Sequence, residues 1–104
     1  MARYPHPRLQ DVPLEVALHA LADPCRLAIV RRLAEQGSEL SCSAAVQADD
    51  VPKSTLSNHF KILRGAGLIQ TRTAGREHLS VLRRADFDAR FPGLLDTVLG
   101  QAAA

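Results

Sequence analysis

Residues 53–64, Lys53-Ser54-Thr55-Leu56-Ser57-Asn58-His59-Phe60-Lys61-Ile62-Leu63-Arg64, place Leu56, Phe60 and Leu63 at i, i+4 and i+7. That period puts the three side chains on one stripe of a helix and leaves Ser54, Thr55, Ser57, Asn58, Lys61 and Arg64 largely off it. The outward face so formed carries hydroxyls, an amide and cations, and no acidic residue. A helix of this length is about 18 Å long and the major groove of B-form DNA about 12 Å wide, so the helix can enter the groove. Ser, Thr, Asn and His then supply short directional hydrogen bonds to base edges, while Lys53, Lys61 and Arg64 reach phosphates or guanine.

On the C-terminal side, Gly65 and Gly67 are followed by β-prone runs over 68–73 and 77–82, separated by Ala74-Gly75-Arg76. This reads as a hairpin with a basic tip, placing Arg72 and Arg76 within reach of the DNA backbone or the minor groove. On the N-terminal side, residues 43–49 read as a short, weakly patterned helix. Before it, Asp23-Pro24 marks a helix start, with Asp as N-cap and Pro in the first position, and Gly37 a C-cap just after Gln36. Its apolar residues Leu27, Ile29, Val30, Leu33 and Ala34 cover a wide face, as in a central helix. Leu14, Leu18 and Leu21 mark an amphipathic helix over 9–22. Phe87, Phe91, Leu94, Leu95, Val98 and Leu99 repeat with a helical period that Pro92 interrupts, predicting one turn and then a new helix from Pro92. Together these elements make a mainly α chain with a small β-hairpin, a winged helix-turn-helix of five helices and a two-stranded wing. Residues 1–8 are expected to be a flexible arm, 9–100 a single domain, and 101–104 a frayed tail.

The 104 residues suffice for one domain, and 46% hydrophobic with 23% charged residues describes a chain that folds. Only 4% are aromatic, so the core is built from Leu, Val, Ile and Ala, which suits packed helices better than a sandwich or barrel. No apolar run approaches the roughly 20 residues that span a bilayer, and Arg3, Pro5 and Pro7 stand where a signal peptide has its apolar stretch. A cytoplasmic protein with no membrane partner is expected. Its net charge is +2, but residues 53–84 hold seven Lys or Arg against Glu77 alone, on two mildly acidic flanks. Such a segregated basic face is the footprint of a polyanion. Nothing in the chain supplies an enzyme's nucleophile or acid–base set in a pocket, and no cofactor is expected. The reading is a sequence-specific binder of double-stranded DNA; the alternative is a winged-helix module whose basic face binds protein or RNA.

Two stretches resemble the ArsR/SmtB family of bacterial repressors. Leu21-Ala22-Asp23-Pro24-Cys25-Arg26-Leu27 is similar to the family's "LADPTRL" helix opening. Residues 54–69, Ser-Thr-Leu-Ser-Asn-His-Phe-Lys-Ile-Leu-Arg-Gly-Ala-Gly-Leu-Ile, resemble its recognition helix "STVSHHLKVLREAGLV", and Gly75-Arg76 its "EGR" wing turn. The resemblance implies a homodimer clamped by the first and last helices, seated on a palindromic operator and released by an effector. It gives Ser54, Thr55, Ser57, Asn58, His59 and Lys61 the family's DNA-reading places.

The departures from the family bear on sensing. Where arsenic, cadmium and lead sensors carry "ELCVCDL", this chain has Glu39-Leu40-Ser41-Cys42-Ser43-Ala44-Ala45, with serine at both ligand positions. Serine is a poor ligand for soft metals. The zinc and nickel sensors use Asp, His and Glu of the last helix, and residues 86–99 contain no His. No metal site is expected. Cys42 reads as a small buried hydrophobe. Cys25, in the first turn of a helix beside Arg26, is the candidate thiol sensor, because a helix N-terminus and a cation lower the pKa of an accessible thiol. The alternative is a small, partly buried stand-in for the family's Thr. Leu14, Leu18, Leu21, Leu94, Leu95, Val98 and Leu99 form two apolar helix faces at the chain ends, read as the dimer interface.

Overall fold

Pro13 cuts the helix expected over 9–22 in two. Without an N–H, and with a ring that crowds the preceding carbonyls, proline cannot continue a helix in its interior but can sit at its start. In the computed structural model, which describes residues 4–46 and 51–102, Leu9–Asp11 is a single 3-10 turn, and α1 (Leu14–Leu21) begins directly after Pro13. Helix α2 (Pro24–Gln36) starts and stops where expected. The Asp23 carboxylate accepts the Arg26 backbone N–H at 3.0 Å, and Gly37 at φ 71° donates its N–H to the Leu33 carbonyl.

The helix expected over 43–49 is not found in its described part. Cys42–Ala45 form a turn in which the amides of Ala44 and Ala45 both reach the Ser41 carbonyl at 3.0 Å; residues 47–50 lie outside the described residues. Helix α3 (Lys53–Gly65) leads into β2 (Ile69–Ala74) and β3 (Glu77–Leu82), then α4 (Arg84–Arg90) and α5 (Leu94–Ala102). Five α-helices are thus present among the described residues, but one of them is α4, where a single turn was expected.

The sheet has three strands, not two. A short β1 (Leu40–Ser41) pairs antiparallel with β3, giving the order β1-β3-β2. Two residues are too few to show a period of two, so the sequence carries no signal for this strand. In the hairpin, Ala74 pairs with Glu77 across a two-residue loop whose first residue, Gly75, has φ 64°. Inside it, the hydroxyls of cross-strand partners Thr71 and Ser80 bond at 2.8 Å, so two buried polar groups satisfy each other.

The core runs from Val12, Ala17 and Leu21 through Ile29, Val30 and Leu33 to Phe60, Leu63, Leu68 and Ile69, with Phe87, Phe91 and Leu95 closing it from the C-terminal end. Arg90 ties that end to the first turn, donating to the carbonyls of Leu9 and Val12 at 3.0 Å each. Leu9 packs against Gly67, where a Cβ would lie 2.8 Å from Leu9 Cδ1 and where φ is 73°. The positive φ favours glycine there, and a Cβ would in addition push the Leu9 side chain aside.

Candidate nucleic-acid interface

Phe60 and Leu63 are buried and Leu56 half-buried, which fixes the rotation of α3. The opposite face then points away from the protein, and Lys53, Ser54, Thr55, Ser57, Asn58 and Lys61 are all exposed. Ser54, Asn58 and Lys61 repeat the spacing of the core stripe, i, i+4 and i+7, and so form one outward line. Pro52 is the N-cap and supplies no capping side chain, and the first turn has no acidic residue. The backbone N–H groups there keep their positive potential.

His59 does not belong to that face. Its ring lies against the start of α2, with Nδ1 3.1 Å from Arg26 Nη1 and Nε2 3.9 Å from the Asp23 carboxylate, and its side chain is 13% exposed. Arg26, only 7% exposed, also donates from Nε to the Ala20 carbonyl at 2.8 Å and from Nη2 to the His19 carbonyl at 3.0 Å. These carbonyls lie at the end of α1, where that of His19 also accepts the Ala22 N–H at 3.1 Å, and a cation there matches the negative end of the helix dipole. Arg26 therefore joins α1, α2 and α3, a role that sequence reasoning missed. In the sequence Arg26 stands out only as a neighbour of Cys25.

The basic segment is less free than its charge count implies. Arg72 is held by Glu39 through two bonds of 2.7 and 2.8 Å, which keeps the Glu39 carboxyl below the ordinary carboxylate range. Arg84 pairs with Asp88 and Asp96, and Arg83 with the Pro7 carbonyl and Asp86. Arg64 is half-buried and stacks on the Tyr4 ring at 4.2 Å, so it is not the groove-facing cation expected of it. Lys61 and Arg76 are exposed, with no ion-pair partner among the described residues. The arm expected over 1–8 makes contacts with the wing from Tyr4 on. The Tyr4 hydroxyl meets His78 Nδ1 at 2.6 Å, and His6 Nε2 accepts the Thr71 N–H at 3.0 Å.

Of the apolar end residues, Leu21 and Leu95 are 5% and 0% exposed and belong to the core of the single chain, which corrects their reading as interface. Leu14 and Leu18 stand 50% and 45% exposed, with Val16, unremarked in the sequence, at 39%. Leu94, Val98 and Leu99 are half-buried. At Cys25, burial first and then the Asp23 carboxylate raise the thiol pKa, and Arg26 offsets this only in part, the opposite of the direction that a helix N-terminus and a cation alone would give. It lies half-buried at an open cleft of about 460 Å3 with Ala28, Ile29 and Arg32. One carboxylate oxygen of Asp23, the Cys25 sulfur and a ring nitrogen of His59 all lie within 4.8 Å of one another, a grouping that sequence spacing does not reveal.

A family model described as a helix-turn-helix domain matches residues 21–72. YceK, an uncharacterized HTH-type transcriptional regulator of Bacillus subtilis (strain 168), is 44% identical over 79 residues, covering 76% of this chain and 79% of that protein. The HTH-type transcriptional repressor SmtB of Mycobacterium tuberculosis is 44% identical over 62 residues, 60% of this chain; the chain spans 44% of SmtB's length. The fold is shared with an ArsR family transcriptional regulator, RHA00566, at a TM-score of 0.66 and 24% identity, covering 86% of this chain and 91% of that one. With the Asp23-Pro24 helix opening and the polar face of α3 inside the matched span, the chain belongs to the ArsR/SmtB family of winged helix-turn-helix transcriptional regulators.

Proposed function

We propose that the protein is a homodimeric repressor that reads a palindromic operator through α3 and loses affinity for it when an effector binds. The observation that carries this reading is the outward line of Ser54, Asn58 and Lys61, exposed on a helix whose other side is locked into the core. Thr55 and Ser57 flank the line, Lys53 begins it, and Arg76 at the wing tip is placed for the adjacent backbone. Short polar groups on a groove-sized helix suit base edges, while a long cation on a hairpin tip suits phosphates. The relative SmtB is a repressor, which supports that sense of regulation here. Leu14 and Leu18 leave an apolar strip on α1, and a second copy is the partner that would cover it.

Duplexes selected from random sequence by the purified protein test the reading. Asn58→Ala is expected to weaken binding to the selected site and relax the base preference, each base-edge interaction removed costing about 1–3 kcal/mol. Arg76→Ala should weaken all duplexes alike and lower the salt slope by about 1. Selection of no duplex, or an Asn58→Ala protein that discriminates as the parent does, overturns the assignment of α3. Retention of a protein or RNA by the same face, unaffected by duplex, would favour the other winged-helix reading.

A further inference from the structure

Asp23, Cys25 and His59 are the group of three metal-ligating side chains that the described residues bring together, with their ligand atoms within 4.8 Å of one another. Two come from the cap and first turn of α2 and one from the middle of α3. A carboxylate, a thiolate and an imidazole make a mixed oxygen, sulfur and nitrogen set. Calcium and magnesium take oxygen ligands, and the softest ions take sulfur alone, so this set fits a borderline ion such as zinc. Around tetrahedral zinc, with bonds of about 2.0–2.3 Å, ligand atoms stand about 3.3–3.8 Å apart. Asp23 Oδ2 and His59 Nε2 are already at 3.9 Å. Closing the group takes up to about 1.5 Å of side-chain movement on the same geometric grounds. All three residues are half-buried, and Cys25 borders an open cleft, so an ion can enter and keep a water as its fourth ligand.

We propose that Asp23, Cys25 and His59 bind a zinc-type divalent ion, with three protein ligands and one water, and that the ion joins α3 to the first turn of α2. The site does not depend on the DNA reading of α3. Binding removes the Cys25 thiol proton to solvent and requires a neutral His59 ring. It also breaks one bond. His59 Nδ1 faces an Arg26 N–H, so it acts as acceptor there and Nε2 carries the ring proton. An ion on Nε2 moves that proton to Nδ1, which then opposes the Arg26 N–H, and an ion on Nδ1 takes the lone pair outright. In either case the Arg26–His59 hydrogen bond is exchanged for a metal bond, while Arg26 keeps its bonds to Ala20 and His19. The charges are compatible: a dication with a carboxylate and a thiolate is neutral, beside one retained guanidinium.

Cobalt(II) titrated into the reduced protein and then displaced by zinc reads this site. One equivalent per chain is expected, with thiolate-to-cobalt charge-transfer absorption and the strong visible bands of four-coordinate cobalt. Cys25→Ser should abolish the charge-transfer band and Cys42→Ser leave it unchanged. Asp23→Asn keeps a good N-cap but removes the carboxylate. Asp23→Asn and His59→Gln, checked as folded by circular dichroism, should each lose more affinity than the roughly 10–100-fold that a missing outer-shell partner costs. The absence of stoichiometric uptake, a charge-transfer band that follows Cys42, or affinity unchanged in both Asp23→Asn and His59→Gln overturns the proposal.

Discussion

Arg26 is the side chain whose removal should be felt most widely. Its guanidinium is buried and satisfies two carbonyls at the end of α1 while touching His59 of α3. A hydrogen bond to a charged group contributes about 1.5–3 kcal/mol, and without Arg26 the Ala20 carbonyl loses its guanidinium donor while the His19 carbonyl keeps only the Ala22 N–H. Arg26→Ala is therefore expected to cost about 2–4 kcal/mol in urea unfolding, and Arg26→Lys nearly as much, because an ammonium lacks the planar fork. His6 gives a pH dependence. Burial first, then the charges of Arg83 and Arg64, hold its pKa below the ordinary 6.5, and its Nε2 accepts the Thr71 N–H. With the folded value below the unfolded one, the stability this hydrogen bond contributes is present above about pH 6.5 and is lost as pH falls through the lowered folded value. The protection factor of the Thr71 amide should fall on acidification, and His6→Gln should flatten that fall. The place of His59 is legible in part: it is four residues before Leu63, on the flank of the core stripe, and a strict reading of that stripe as Leu56, Phe60 and Leu63 leaves it outside. Its partners Asp23 and Arg26 are more than thirty residues away, and nothing local points to them.

The elements with strong local punctuation are the ones the sequence reveals. Asp23-Pro24 and Gly37 bound α2 as observed, and the stripe of α3 sets its rotation. Pro13 is an equally clear signal that the leucine period overrides. Strand β1 is beyond reach, because its two residues are strand only through pairing with β3. That pairing carries Glu39 to the wing beside Arg72, so a cation counted as free is neutralised in the fold. Glu39→Gln is expected to release Arg72, tighten non-specific duplex binding, and steepen its salt dependence by about one phosphate contact. An unchanged slope in a salt titration would mean that Arg72 stays away from the DNA. Gly67→Ala tests the close approach of Leu9 and the positive φ together. A left-handed conformation costs a residue with a Cβ about 1–2 kcal/mol, and the melting temperature should drop accordingly.

For the molecule as a whole, extents of 35 × 31 × 23 Å make the chain about as long as one turn of B-form DNA, roughly 34 Å. One copy therefore suits one half-site, and a palindrome calls for two. The exposed Leu14 and Leu18 are the residues through which we expect those copies to meet. A double Leu14→Glu, Leu18→Glu variant should sediment as a folded monomer and lose operator affinity without any change on α3, since charges buried in an isologous interface oppose each other twice. Two copies are thus expected to present α3 to one face of a duplex. Hydroxyl-radical footprinting of the protein on its selected duplex reads that arrangement base pair by base pair. Two protected half-sites centred about one helical turn apart, with protection absent in Asn58→Ala and in the Leu14→Glu, Leu18→Glu variant, are the expected result. A single protected half-site that the α1 variant leaves intact would contradict it.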